Sequence, residues 1–341
     1  MTIRERNEQF EKEYLSSYAA LSMNTRGRER LEPKCDERTE YQRDRDRVLY
    51  SSAFRRLREK TQVFIAPEDD HCRTRLTHTL EVSQVARSLA KSLKLNEDLT
   101  EAIALGHDLG HTPFGHTGEA ALREICPHGF EHNEQGVRVV EVLERGTGRN
   151  LTWEVRDGIL NHCGERQAST LEGRLVKYAD RIAYINHDID DAISAGILAF
   201  NDLPQDCIEV FGHTRTSWFG VMKSSIVESS MDKNEISMLP EVETAFMKLK
   251  KFLFDKVYLG PAVKKERTKA TRLINILYDH FKMHTEQLPE DMQKFLKAYD
   301  VDRVVCDYIA SMTDMEAVRV FNDIFVPFSV SHEKPAFPDY V

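Results

Sequence analysis

The chain has 341 residues, of which 47 are Lys or Arg and 56 are Asp or Glu, so its formal charge is −9. At about 150 residues per domain there is room for one large domain or two ordinary ones, each with a sizeable core. The acid excess disfavours nucleic-acid binding through bulk positive charge, and 41% apolar content without long Gly/Ser, Gln or Pro tracts excludes disorder and fibrous repeats.

The first residues mix acids with bases and lack an apolar h-region, and no later apolar run approaches a membrane span. A cytoplasmic protein with no membrane contact is therefore expected. The six cysteines, at 35, 72, 126, 163, 207 and 306, contain no Cys-x-x-Cys pair, so neither a disulfide framework nor a thiolate zinc site is indicated. Residues 1–42 are polar, with Arg26-Gly27-Arg28 and Pro33 interrupting any helix, and read as a peripheral arm.

Helical spacing dominates from there on, so an all-α protein is expected, with Val63-Phe64-Ile65 the only strand-like run. Helices are predicted over 43–60, over 77–94 and from about Asp98 to His111, where Pro113 biases Thr112 away from helical geometry and begins a loop to Gly115. Further helices are predicted over 117–126, 134–145, 152–162 and 171–196. Beyond residue 200 come 241–258, 263–284, 290–299 and 301–325, read as support or assembly structure.

Of 13 histidines, seven lie between His71 and His132, and three fall within ten residues in His107-Asp-Leu-Gly-His111-Thr-Pro-Phe-Gly-His116. Histidine is the commonest metal ligand and the usual acid or base near neutral pH. On a helix His107 and His111 share a face one turn apart, while His107 and adjacent Asp108 grip one ion only near a helix end. In the long helix Asp180, Tyr184, His187, Asp188 and Asp191 form one polar stripe, which faces water, a metal or a substrate.

His78, the His107-Asp108 pair and Asp180 resemble the H…HD…D signature of the HD superfamily of metal-dependent phosphohydrolases. Within it, Phe54-Arg-Arg-Leu, Arg75-Leu-Thr-His78, Gly106-His-Asp-Leu-Gly-His-Thr-Pro-Phe-Gly-His116, Phe130-Glu-His-Asn-Glu-Gln135 and Tyr178-Ala-Asp-Arg-Ile-Ala-Tyr184 resemble the deoxyguanosine triphosphate triphosphohydrolase-like family. The resemblance implies an HD-domain helical core over 43–200, with additional C-terminal helices over 201–341 packed on it, and a homo-oligomer. It implies that His78, His107, Asp108 and Asp180 hold one divalent ion, for which Mn²⁺, Mg²⁺, Fe²⁺, Co²⁺ and Zn²⁺ all suit the donors. The implied reaction splits a dNTP between the 5′ oxygen and the α-phosphorus, releasing deoxynucleoside and inorganic triphosphate.

By the same resemblance His116 protonates the leaving alkoxide with Glu119 behind it, while His111 and His132 contact the α-phosphate or attacking water. Arg75 and Arg181 take phosphate, and Tyr184 and Asp188 read the deoxyribose; Gln62 and Arg55 are further candidates for sugar and phosphate. The preferred base stays open. The basic run Lys264 to Arg272 reads as a solvated helix face, with a nucleotide effector or single-stranded DNA as the other readings. His280 and His284, one turn apart without a carboxylate motif, are read as non-metal residues. The competing functions are an HD-fold phosphodiesterase or nucleoside monophosphatase, and a non-catalytic nucleotide or single-stranded-DNA sensor.

Overall fold

The computed structural model describes residues 1–62, 73–258 and 261–327. The strand-like run at Val63 lies outside them, as do His71 and Cys72. Among the described residues the fold is entirely helical apart from an isolated antiparallel bridge between Thr61 and Thr74. The helices are α1 (Ile3–Tyr14), α2 (Glu40–Leu49), α3 (Ser52–Arg56), α4 (Arg75–Ser92), α5 (Glu97–Gly106), α6 (His116–Ile125), α7 (His132–Arg138) and α8 (Trp153–Leu160). They continue as α9 (Leu171–Ser194), α10 (Gln205–Phe211), α11 (Arg215–Ser230), α12 (Pro240–Leu253), α13 (Pro261–Met283), α14 (Glu290–Gln293), α15 (Val301–Ser311) and α16 (Asp314–Phe325).

Local capping explains where several predicted helices divide. The helix predicted over 43–60 stops at Leu49 and restarts as α3, because the Ser51 side chain accepts from the Phe54 N–H and opens a new helix there. The single helix predicted over 301–325 is two, because Thr313 and Glu316 form a capping box that begins α16. Three helices appear where none was predicted: α1 inside the N-terminal arm, and α10 and α11 after residue 200.

α4 packs on α5 and α9, and α5 packs on α2, α8 and α9 as well, which brings the helix carrying His78 against the one that ends just before the HD pair and the one carrying Asp180. One buried apolar cluster runs through these helices and on to α10, α11 and α12, around Leu89, Ile103, Leu175, Ile182 and Phe246. A second joins Phe114, Leu122 and Phe130 to Ile274, Leu277 and Ile309, so the C-terminal helices share a core with α6. The N-terminal residues are tied down too: Arg28 sits with both Glu40 and Asp44 and donates to the Asn150 carbonyl at 2.6 Å.

Two polar contacts carry the C-terminal helices to the histidine-rich loop. The buried Lys60 ammonium donates to the carbonyls of His111 and Ala310, and burial pushes its pKa down to about 7. Asp314 accepts from the Phe114 N–H at 2.8 Å and the Thr61 N–H at 3.0 Å. Gly110 is where this loop passes α7, and a Cβ there would lie 2.0 Å from the His132 carbonyl oxygen and 2.2 Å from the Gly136 nitrogen. Neither backbone atom can yield without moving the site. Gly110→Ala is therefore expected to cost at least about 3 kcal/mol of unfolding free energy in denaturant titration. An unchanged midpoint would mean that the loop and α7 are not in this contact.

Candidate active site

α5 ends at Gly106, five residues before the predicted end, and the chain continues in tight turns, with the Leu109 N–H donating to the Gly106 carbonyl and the His111 N–H to the Asp108 carbonyl. This corrects the expectation that His107 and His111 lie one helical turn apart on a shared face. It also supplies the helix end that lets neighbouring His107 and Asp108 face the same point. His107 Nδ1 donates to the Ala104 carbonyl at 2.7 Å, which fixes the tautomer and leaves the Nε2 lone pair directed into the site.

Around that lone pair, Asp108 Oδ1 lies at 3.3 Å and Asp180 Oδ1 at 3.9 Å, while His78 Nε2 is 3.1 Å from the same Asp180 oxygen. The ligand atoms of His78, His107 and Asp108 all lie within 4.8 Å of one another. Three helix ends or faces thus bring two imidazoles and two carboxylates to one place. The donor set fits a divalent ion: His107 Nε2 is buried without a hydrogen-bond partner among the described residues, as a ligand atom would be. Although burial favours the protonated acid, the His78 hydrogen bond and the nearby His107 bring Asp180 down to about 2. Burial likewise opposes ionisation of Asp108, yet His107, His111 and Arg75 hold it well below the ordinary carboxylate range. Burial keeps His107 neutral. These three protonation states are the ones that metal ligation needs, while at His78 the Asp180 hydrogen bond outweighs burial and raises the imidazole pKa.

Arg75 opens α4 and is almost completely buried, with Nη1 donating to Asp108 Oδ2 at 2.9 Å. Its Nε and Nη2 have no partner among the described residues. Gly115, at φ +56°, passes so close that a Cβ would stand 2.9 Å from Nη2. An unpartnered buried N–H costs roughly 1–3 kcal/mol, so two of them on one guanidinium beside a cation site suit an anion that bridges both.

His111 lies against the ion site through Asp108, at 3.1 Å, and its ring stacks on that of His132 at 4.0 Å between centroids. Burial and the charges of Arg75 and His132 hold His111 well below its ordinary pKa, so it is neutral. His116 begins α6, exposed, with Nδ1 3.2 Å from Glu119 Oε2 and its ring 5.4 Å from that of His111. Glu119 is buried and does more than support His116: its other oxygen accepts from His132 Nδ1 at 2.9 Å, from the His132 N–H at 3.1 Å and from Arg123 at 3.1 Å. Against its burial, these hydrogen bonds hold Glu119 far below the ordinary range, while Cys163 and Glu119 raise His132 to about 10.

On α9 Tyr184 and Asp188 follow Asp180 at one-turn intervals. The Tyr184 hydroxyl and Gln62 Oε1 are shielded from solvent without hydrogen-bond partners among the described residues. Burial and the charge of Asp180 push the Tyr184 phenol up. Arg181 is half-buried and forms no ion pair among the described residues. His187 and Asp191, on the same stripe, are used locally: His187 Nδ1 is 2.9 Å from Glu81, and Arg73 pairs with Asp191.

Arg55 is not brought to the site. Its guanidinium is exposed and turns back to Ser52 Oγ at 3.0 Å, while its neighbour Arg56 is half-buried, with Nε shielded from solvent. α3 is too short and too sharply ended for spacing alone to say which arginine faces inward. Lys264, Lys265, Lys269 and Arg272 lie on an exposed face of α13.

Two residues that sequence spacing did not single out complete the group. His162 and Cys163 follow α8, with His162 Nε2 3.2 Å from His132 Nε2 and the His162 ring 5.1 Å from that of His107. Without a Cys-x-x-Cys pair there was no sign of a thiolate zinc site in the sequence, yet one ligand atom from each of His132, His162 and Cys163 lies within 4.8 Å of the others. The legible signal was a histidine and a cysteine side by side where a helix ends.

Residues 75–185 match the HD domain family, and residues 236–323 match the phosphohydrolase-associated domain family. A deoxyguanosinetriphosphate triphosphohydrolase-like protein of Caldanaerobacter subterraneus subsp. tengcongensis is 53% identical over 96% of this chain and 97% of its own length. One from Clostridium perfringens is 47% identical over 96% of this chain and 98% of its own. A solved phosphohydrolase from Bacteroides thetaiotaomicron VPI-5482 superposes at TM-score 0.50 with 15% identity, over 81% of this chain and 68% of that one, a likeness of fold alone.

Proposed function

The chain belongs to the deoxyguanosinetriphosphate triphosphohydrolase-like family of HD phosphohydrolases, and from that premise we propose that it hydrolyses deoxynucleoside triphosphates to deoxynucleoside and inorganic triphosphate, and so controls dNTP pools. The observation that carries this reading is the meeting of a donor cluster with a buried guanidinium. Four metal-ligating side chains converge beside a buried arginine whose Nε and Nη2 lack partners among the described residues. A cation site adjoining an anion site is what a metal-bound phosphate requires.

The ligands assigned here are His78, His107, Asp108 and Asp180, and a divalent ion held by them would withdraw charge from a phosphate and make a bound water more nucleophilic. The remaining steps fall to the chain. Arg75 spans from Asp108 toward Gly115 and holds a phosphate oxygen on its free N–H groups, and Arg181 extends the positive field along the triphosphate. Neutral His111 offers a hydrogen bond to the α-phosphate or the attacking water, beside His132. His116 carries the proton that the departing 5′ alkoxide needs, and Glu119 orients its ring through Nδ1.

Sugar selection follows from α9. Tyr184 presents its ring and an unbonded hydroxyl where a 2′-OH would crowd it, with Asp188 one turn on to accept from the 3′-OH and Gln62 from the loop side. No helix among the described residues is long and apolar enough to cross a membrane, in keeping with a cytoplasmic enzyme acting on free nucleotides, and the resemblance implies a homo-oligomer.

Chromatographic product analysis across four dNTPs and GTP, with Mn²⁺ or Mg²⁺, tests the reading. Deoxynucleoside and intact triphosphate are expected from dNTPs, with GTP turned over at least about tenfold more slowly, the discrimination available to a steric contact of 1–3 kcal/mol. Release of dNMP and pyrophosphate, or dNDP and phosphate, would assign cleavage to another bond.

A further inference from the structure

The contact between His132 and His162 has an electrostatic peculiarity. His162 Nδ1 is 2.7 Å from the Ile159 carbonyl oxygen, and His132 Nδ1 is 2.9 Å from Glu119 Oε1. A carbonyl and an ionised carboxylate can only accept, so both Nδ1 atoms carry the hydrogen. With His132 protonated, its Nε2–H donates to His162 Nε2; with both rings neutral, the two Nε2 lone pairs face each other at 3.2 Å. Two acceptors at that distance repel unless something positive lies between them. Cys163 supplies a third donor, since one ligand atom from each of His132, His162 and Cys163 lies within 4.8 Å of the others.

We propose that His132 Nε2, His162 Nε2 and Cys163 Sγ form a second metal site, adjacent to the first and selective for a zinc-like ion. Two imidazole nitrogens on one tetrahedral zinc at about 2.0–2.1 Å stand about 3.3 Å apart, close to the separation already present. Two imidazoles and a thiolate are softer than the two imidazoles and two carboxylates of the first site, so the pair of sites discriminates between zinc-like ions and Mn²⁺ or Mg²⁺. Three protein donors also leave a fourth position open to water or a substrate oxygen.

The scaffold holds the donors without help from the ion. Asn133 Nδ2 donates to the Leu160 carbonyl at 2.6 Å and joins the start of α7 to the end of α8. Lys177 of α9 donates to the carbonyls of Gly164 at 2.7 Å and Arg166 at 2.8 Å, and so clamps the turn that carries Cys163 to the helix that carries Asp180. Glu119, behind His132, fixes its ring as carboxylates commonly do for metal-bound histidines. The inference takes the first site from the proposed function as given, and it makes His132 a ligand that links the two sites rather than a direct phosphate contact.

Chelator-stripped protein equilibrated with Zn²⁺ alone, then desalted and counted by inductively coupled plasma mass spectrometry, is expected to hold two ions per chain. His162→Gln is expected to hold one. With Co²⁺ the wild type should show thiolate-to-cobalt charge-transfer absorption, which the sulfur-free first site cannot give, and Cys163→Ser should lose that band while keeping the visible bands of the first site. The wild-type count and band decide the matter even where a variant fails to fold. One ion per chain without a thiolate band would overturn the second site and leave a shared proton between the rings. The readout is independent of product analysis: two bound ions with the wrong nucleotide products would sink the triphosphohydrolase reading alone.

Discussion

Asp108→Asn is expected to lose the ion of the first site and at least about a thousandfold in phosphohydrolase rate, because the several kcal/mol that a Lewis acid contributes convert at about 1.4 kcal/mol per tenfold. Asp108 is the residue on which both halves of the site depend. One oxygen stands 3.3 Å from His107 Nε2 and the other accepts from Arg75 at 2.9 Å. The amide is nearly the same size but carries no charge, so it fails as an ion ligand and leaves the Arg75 guanidinium buried without its counter-charge. Breaking one partner of a buried pair costs about 3–5 kcal/mol. The variant should therefore unfold at a lower denaturant concentration as well as turn over more slowly. Metal content, initial rates with Mn²⁺ and an unfolding curve measure the three effects separately. Wild-type rates in a variant that still folds would remove Asp108 from the ion site, and an unchanged unfolding curve would show that the Arg75 pair contributes nothing net.

What could be read from the sequence, and what could not, divides along physical lines. α4 and α9 were legible because their buried faces repeat at helical spacing and polar caps at Thr74 and Thr170 mark where they start. α11 was not, because its buried stripe includes Ser225, Ser229 and Ser230 among Trp218, Met222 and Ile226. Those hydroxyls are satisfied by tertiary contacts, such as the Leu239 N–H donating to Ser225 Oγ at 2.7 Å, which spacing does not encode. α1 escaped for the same reason: it buries Glu8 and Glu11, held by Arg4 and Ser22, rather than an apolar face.

The site repeats the pattern. Ordered motifs led to His78, His107, Asp108 and Asp180, each near the start or end of an element or on a one-turn stripe. The early end of α5 was hidden because it depends on Gly110 lying against the α7 backbone, a contact between segments. His162 and Cys163 were hidden because they meet His132 across 30 residues of chain, through a turn that Lys177 holds from another helix. The capping box at Thr313, by contrast, was written in the sequence and would have separated α15 from α16, placing Asp314 where it reaches the Phe114 N–H.

His116→Ala separates chemistry from binding. The imidazole is the most exposed of the clustered histidines, and its hydrogen-bonded contact is with Glu119 at 3.2 Å. Removing it opens Glu119 Oε2, its hydrogen-bond partner, to water, while Oε1 keeps His132 and Arg123. Stability should change by no more than about 0.5 kcal/mol, as at other exposed positions. The metal content should stay that of the wild type, because every assigned ligand belongs to another residue. The rate is a different matter: a positioned general acid contributes roughly 10²–10⁴-fold, so turnover should fall by that factor while dNTP affinity, measured by isothermal titration with the slow variant itself, stays within a few-fold. The loss should shrink for a substrate analogue whose leaving group is a weaker base than a 5′ alkoxide, since such a group departs without a proton. An equal loss for both leaving groups would make His116 a positioning residue. Undiminished turnover of the ordinary dNTP would take it out of the mechanism and pass the proton to another residue.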